Sequence, residues 1–353
     1  MKYSRTAVVL ISAFAAVLLT MGSGCLPGPY EAGTPDSLFS EFVLIRDLMS
    51  SYYACFAARD SMDWSSVYLE YRSRAQNLDN RDEMIELSLD MLGELEDMSL
   101  IIFDSSGGLH ESFDPDYFQN WDRQVFGSYL TSWGQKDSIG PYHSFPLPSP
   151  MDSIGYMYIQ TLGDSFTIEG FFVSTAPVAQ CSVLILDLRF CKRIGHEVNA
   201  YYSMGRFTGS SALGYYKQIR NGPDPLDMGE PVGVYALKNG SWQFTGPTLV
   251  LTGRGTHGAA ELLALLLKTQ DHVTVIGDTT AGFANPTDSY NLTESWTIEI
   301  PEMVTYDSDM NLMFDNPVIP DSTVHASESD FAAGVDPVLD AAVDILASGS
   351  IPR

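Results

Sequence analysis

The residues best placed to do chemistry lie in one stretch, Leu249-Val250-Leu251-Thr252-Gly253-Arg254-Gly255-Thr256-His257-Gly258-Ala259-Ala260-Glu261. Thr256 carries a hydroxyl, His257 a group that can move protons near neutral pH, and Glu261 a carboxylate, all within six positions. The chemistry such a set could support is nucleophilic attack with oxyanion stabilisation. An apolar β-type run breaks at Gly253-Arg254-Gly255, and the strong helix formers of residues 259–268 follow, so the stretch reads strand, tight turn, helix. The first turn of a helix leaves backbone N–H groups unpaired and partly positive, and enzymes place nucleophiles and oxyanion donors there. The same pattern also serves as an ordinary βα connection. The surrounding residues decide between the two.

The elements that must position this stretch come from a chain of 353 residues that is 45% hydrophobic, enough for a substantial core. It carries 19 Lys and Arg against 45 Asp and Glu, a formal net charge of −26, which repels phosphate backbones and excludes nucleic acid as a natural partner. Lys2 and Arg5 precede an apolar run over residues 7–19 and the small residues Gly22, Ser23 and Gly24, then Cys25. That is an export signal, too short to span a bilayer. It resembles a bacterial lipoprotein signal, with Cys25 the lipidated residue after residues 1–25 have directed export, although Gly22 stands where a larger aliphatic residue is usual. Residues 26–35 read as a tether. Association with a membrane is then expected through the anchor or signal only, in the cell envelope on its periplasmic or outer-surface side.

Cys55, Cys181 and Cys191 remain. If residues 182–190 form a strand, Cys181 and Cys191 are held roughly 30 Å apart and cannot pair, so free buried thiols are expected. The six histidines show no ligand-like spacing, and neither a metal nor another cofactor is expected.

Residues 36–100 read as an N-terminal helical bundle. Phe39, Phe42, Val43, Leu48 and Met49 recur at helical spacing, Trp64, Val67, Tyr68 and Tyr71 form a second face, and Met84, Leu87, Met91, Leu92 and Leu95 a third. Residues 101–153 carry little pattern and read as a connecting segment. Residues 154–159 and 182–190 read as buried strands of an α/β domain over residues 154–347, with 348–353 a short tail.

Tyr52-Tyr53-Ala54-Cys55-Phe56-Ala57-Ala58-Arg59-Asp60-Ser61-Met62-Asp63-Trp64, Tyr71-Arg72-Ser73-Arg74-Ala75 and Met91-Leu92-Gly93-Glu94-Leu95-Glu96-Asp97, followed by Leu186-Asp187-Leu188-Arg189, Thr256, Ala259-Ala260-Glu261, Thr280-Ala281-Gly282 and Val318-Ile319-Pro320-Asp321, resemble the tail-specific (C-terminal-processing) serine peptidase family. The likeness is to its branch near the tricorn protease core and interphotoreceptor retinoid-binding protein. It covers about residues 36–346 and closes on Gly334-Val335-Asp336-Pro337-Val338-Leu339. The resemblance implies a crotonase/ClpP-like α/β domain with a mixed sheet behind the helical bundle, and the fifty residues before it are too few for the PDZ insertion many members carry.

The catalytic positions implied by the resemblance have all changed. The general-base histidine falls on Ser99, the nucleophilic serine on Gly258, the lysine of one branch on Phe283 and the glutamate of the other on Phe314, with Asp315 beside it. The glycine-rich oxyanion loop after Arg189 reads Phe190-Cys191-Lys192-Arg193-Ile194. The expectation is a non-catalytic relative whose cleft, lined by Arg189, Thr256, His257, Gly258 and Thr280, holds a polypeptide or an apolar small molecule. Thr256 is expected to cap the following helix and His257 to lie at the surface. The alternative is an active serine-type endopeptidase in which Ser99 or Thr256 substitutes for the missing groups.

Overall fold

The computed structural model describes residues 37–59, 62–135, 140–191 and 195–349. The signal, Cys25, the tether and Lys192-Arg193-Ile194 lie outside the described residues.

Three helices open the described chain: α1 (Leu38–Tyr52), α2 (Trp64–Ala75) and α3 (Arg81–Gly93). Each begins on a side-chain cap that satisfies otherwise unpaired amides: Ser37, Asp63 and Asn80. Their apolar faces meet in one core around Phe42, Ile45, Met49, Tyr53, Met91 and Leu92.

Residues 101–153 do more than connect. They supply β1 (Ile101–Phe103), β2 (Leu109–Glu111), α4 (Arg123–Ser132) and β3 (Tyr142–Pro146). The α/β part then runs β4 (Ile154–Ile159), α5 (Ile168–Ser174), β5 (Val183–Asp187), α6 (Glu197–Met204), β6 (Ala212–Ile219), β7 (Val232–Ala236), β8 (Thr248–Thr252), α7 (Ala259–Lys268) and β9 (Val273–Gly277). It closes with β10 (Thr287–Asn291), β11 (Thr297–Pro301), β12 (Met303–Asp307), β13 (Ser322–Thr323), α8 (Glu328–Ala332) and α9 (Pro337–Ser348).

The main sheet has six strands in the order β13-β9-β8-β5-β4-β3, parallel except for β3, which runs antiparallel to β4. It is therefore the mixed sheet of an α/β domain, as expected. Helices cover both faces: α6 and α7 pack on one through Leu262, Leu263 and Leu266, while α4 and α9 close the other through Phe126, Leu130, Val338 and Leu339. Burial on both sides explains the unbroken apolar reading of β5 and β8. The strand expected over residues 182–190 ends at Asp187, because Leu188 onward turns away.

Two smaller sheets bind the halves together. β1 pairs with β11 and β2 in the order β10-β11-β1-β2, and β12-β6-β7 form the other. Arg220, at the end of β6, donates to the Met49 and Tyr53 carbonyls at 3.5 and 3.3 Å and so satisfies the C-terminus of α1. The helical core also takes in Phe283, Ile298, Ile300, Val304 and Phe314. Helical bundle and α/β part share one apolar interior.

Among the described residues no helix is long and apolar enough to cross a membrane, and no group of three or more His, Cys, Asp or Glu is placed to hold a metal ion. Cys55, Cys181 and Cys191 are free thiols; Cys55 and Cys191 are buried, but Cys181 is only half-buried.

Candidate functional site

The strand, turn and helix legible in the sequence are β8, residues 253–258 and α7. Tight backbone packing explains the glycines: a Cβ on Gly253 would lie 1.9 Å from Asn120 Oδ1, and one on Gly255 2.3 Å from the Arg189 carbonyl oxygen. Gly258 occupies the cap position of α7 with φ 59° and ψ −118°, a backbone that L side chains rarely adopt. The position to which the resemblance assigns the nucleophile thus sits at a sharp elbow that favours glycine and carries no side chain.

Glu261 holds this elbow in place. Its fully buried carboxylate accepts from the Gly258 amide at 3.1 Å, the Thr280 hydroxyl at 2.5 Å, and the Gly282 and Phe283 amides at 2.8 and 2.9 Å. One side chain thus ties the start of α7 to the loop after β9. Burial pushes its pKa up to about 7, against the four donors, which favour the charged form. Thr280 in turn accepts from the Val318 amide at 2.7 Å, joining the third family-like motif to the other two.

Thr256 does not cap α7. It is fully buried, donates to the Leu188 carbonyl at 3.0 Å and accepts from the Gly253 amide at 3.2 Å, locking the turn to the end of β5. His257 is not a surface residue either: it is 2% exposed, and its ring stacks on Phe283 with centroids 5.9 Å apart. Phe283 meets Phe314 edge to face at 5.5 Å, and the two residues form an isolated antiparallel bridge. The positions that the resemblance assigns to the lysine of one branch and the glutamate of the other therefore pack against each other. Arg59 lies over the Phe314 ring at 4.9 Å and pairs with Asp315 at 3.2 Å and Glu96 at 3.6 Å. Asp315, half-exposed, is engaged with Arg59 at that rim.

Ser99 lies 2% exposed beside Asp97, whose carboxylate accepts from the Ser99 amide and the Tyr53 hydroxyl, each at 2.8 Å. Burial raises the Asp97 pKa. Arg189, expected to line a groove, is wholly buried between Asp187 and Asp336, with ion-pair distances of 2.8 Å to each, and also donates to the Asn120 carbonyl. Phe190 packs its ring against Trp121, Phe126 and Tyr158. Burial pushes the Cys191 thiol up to about 12, so it stays protonated. The five positions expected to line a groove are thus interior: Gly258, Thr256 and Thr280 shape the elbow, Arg189 bonds the sheet to α9, and His257 stacks in an aromatic layer.

A cleft does open close by. Its volume is about 310 Å³, and its walls include His196 and Glu197 at the start of α6, Lys217 on β6, Thr287 and Asp288 on β10, and Glu302 before β12. Its wall residue His196 follows Gly195, which packs against the start of α7: a Cβ on Gly195 would lie 2.8 Å from the Ala259 side chain. Sequence reasoning missed it, since its residues spread over more than a hundred positions with no motif. The bridging role of Glu261 had a signal: a glutamate three residues after a helix cap commonly reaches back to the cap amide.

The sequence profile of Peptidase family S41 matches residues 153–324, from the edge of β4 through β13. That span is an S41 peptidase domain. Solved structures share the architecture. A candidate peptidase from Parabacteroides merdae aligns over 88% of this chain and 97% of its own at 23% identity, with a TM-score of 0.70. A lipoprotein from Streptococcus agalactiae aligns over 86% and 97% at 13% identity and a TM-score of 0.57. The tricorn protease aligns over 88% of this chain and 36% of its own at 15% identity, also at 0.57. At these identities the likeness is one of fold. No curated protein matches the chain. The S41 domain accordingly shares the fold of these structures, in a chain that has Gly258 at the position the resemblance assigns to the nucleophile.

Proposed function

We propose that this S41-type protein is a non-catalytic, exported binding protein that holds an extended polypeptide segment beside its former catalytic elbow. The observation that carries the reading is the packing of Phe283 on Phe314, with Gly258 at the nucleophile position. Acyl transfer needs a nucleophile and a base within hydrogen-bond reach, acting as a unit. Here the position assigned to the nucleophile lacks a side chain, the base positions hold Ser99 and the phenyl ring of Phe283, and a second ring, Phe314, stands where the other branch has its glutamate. The hydroxyl of Thr256 is committed to the Leu188 carbonyl and that of Thr280 to Glu261. The neighbouring cleft, walled on one side by the edge strand β10, supports a binding role.

Incubation with an unstructured polypeptide and with a serine-reactive phosphonate tests the reading. Intact polypeptide, an unlabelled protein and saturable binding of extended peptides are expected. Cleavage or labelling that disappears in Thr256→Ala or Ser99→Ala overturns it and establishes a rearranged endopeptidase. Binding of apolar small molecules but no peptide would replace the ligand class.

Export with a lipid anchor at Cys25 belongs to the same reading. It is supported by the residues around Cys25 and by the similarity of fold to a streptococcal lipoprotein. Membrane association that persists in Cys25→Ser removes the anchor from the proposal.

A further inference from the structure

Two carboxylates in the cleft beside the elbow have no counter-charge. Lys217 pairs with Glu197 at 2.6 Å, and Glu197 also accepts from the Tyr215 hydroxyl at 2.8 Å, so those opposite charges cancel. His196 pairs with Asp164 at 2.8 Å. Among the described residues, neither Asp288 nor Glu302 makes a side-chain hydrogen bond or ion pair. They lie on adjoining segments, Asp288 opposite Ile300 on β11 and Glu302 two residues further along the chain. The cleft thus has an uncompensated negative end, while Ile219, Pro286 and Met303 give it apolar wall.

The wall that carries Asp288 is also a free edge. Among the described residues β10 pairs only with β11, so its other side is the free edge of its sheet, the kind of edge to which an extended segment adds as a strand. An extended segment laid along β10 places alternate side chains on one face, at a repeat of about 6.6–6.8 Å. A lysine or arginine at one of those positions brings its cation to Asp288 and Glu302, and its methylenes cover the apolar wall.

We infer that the cleft takes a polypeptide segment in strand conformation along β10, with a basic side chain seated between Asp288 and Glu302. This rests on the peptide-binding reading above and names the class of segment bound. A further observation agrees with it. Partial burial, and then the charge of Asp288, raise the Glu302 pKa to about 7, the response of a carboxylate kept from water with no cation beside it. The other groups facing it are Glu197, Lys217 and His196, already paired as described.

Synthetic nine-residue peptides, alike except for a central Arg, Gln or Glu, separate the outcomes by fluorescence anisotropy with the full chain. The Arg peptide is expected to bind at least about tenfold more tightly than the Gln peptide and the Glu peptide more weakly still, the scale of one partly desolvated ion pair. Glu302→Gln with Asp288→Asn should erase the preference, whereas Glu70→Gln, on the exposed face of α2, should keep it and so control for the chain's overall acidity. Affinity for the Arg peptide should weaken as pH falls below about 7, with no such trend in the double variant. Equal binding of the three peptides, unchanged in the double variant, overturns the basic-residue assignment and leaves peptide binding standing. Failure of all three to bind overturns both.

Discussion

Phe283 and Phe314 meet edge to face at 5.5 Å with their planes at 76°, and the bridge between their backbones joins in a single aromatic contact the positions that the resemblance assigns to the lysine of one branch and the glutamate of the other. Edge-to-face pairs of this kind are worth about 0.5–1.5 kcal/mol beyond the area they bury. The stacked His257 and the overlying Arg59 extend the layer on either side. Where a peptidase would present a proton acceptor, this chain presents core.

Gly258→Ser alone should therefore restore no hydrolysis. The new hydroxyl would sit at φ 59° with no base beside it, and the backbone there costs a non-glycine residue about 1–3 kcal/mol. The measurement is cleavage of an unstructured polypeptide over many hours. Turnover by this single variant would mean that a base acts from a position not recognised here.

Phe283→Ala should destabilise the fold by about 3–5 kcal/mol, because the ring is fully buried between His257 and Phe314 and its removal leaves a void. A void walled by rings should bind a small apolar molecule, so benzene should raise the Tm of the variant more than that of the parent. An unchanged Tm on substitution would show that the ring does not support the interior.

Glu261 should impose a pH dependence on stability. Its folded-state pKa, about 7, lies above the ordinary 4.5, so between those values the folded chain holds more protons than the unfolded one. Stability should then fall as pH rises through that window, by about 3 kcal/mol from this group. Urea unfolding at pH 4.5 and pH 8 should show that loss in the parent and a smaller one in Glu261→Gln. The raised Glu302 is common to both proteins and cancels in the comparison. Parallel curves would mean that Glu261 is ionised in the fold throughout.

Arg189→Met should cost about 3–5 kcal/mol, since it leaves Asp187 and Asp336 buried without their cation. Arg189→Lys should rescue little, because an ammonium cannot donate in fork geometry to two carboxylates and to the Asn120 carbonyl at once. Chemical denaturation of both variants checks the pair. A fully stable Lys variant would show that charge alone suffices.

Much of the fold was legible because local pattern and tertiary role coincide. The buried runs at β5 and β8, the glycines at 253 and 255, and the helix formers of α7 each have one low-energy reading. Residues 101–153 were opaque for the opposite reason: β1 and β2 are three residues long, and β1, on which β2 pairs, gains its strand character from pairing with β11, nearly two hundred positions away. At the site, the residues at the positions the resemblance assigns to nucleophile and bases could be read from the sequence alone. Their consequence could not. Thr256 and His257 read as cap and surface because polar residues usually are, and only the packing of residues 188 and 283 against them makes both interior. The cleft is assembled from β6, β10, α6 and the approach to β12, a meeting decided by topology.

Asp336 caps α9 through the Leu339 amide and, in the same position, neutralises Arg189 from 147 residues downstream. During synthesis, then, β5 emerges followed by an arginine that has only Asp187 to answer it, and the second carboxylate arrives 147 residues later. A nascent chain stopped before residue 336 cannot complete the ion network or cover that face of the sheet with α9. Closure of the sheet thus waits on α9, and a chain stopped before it should be a ward of chaperones and proteases in place of a shortened but folded protein.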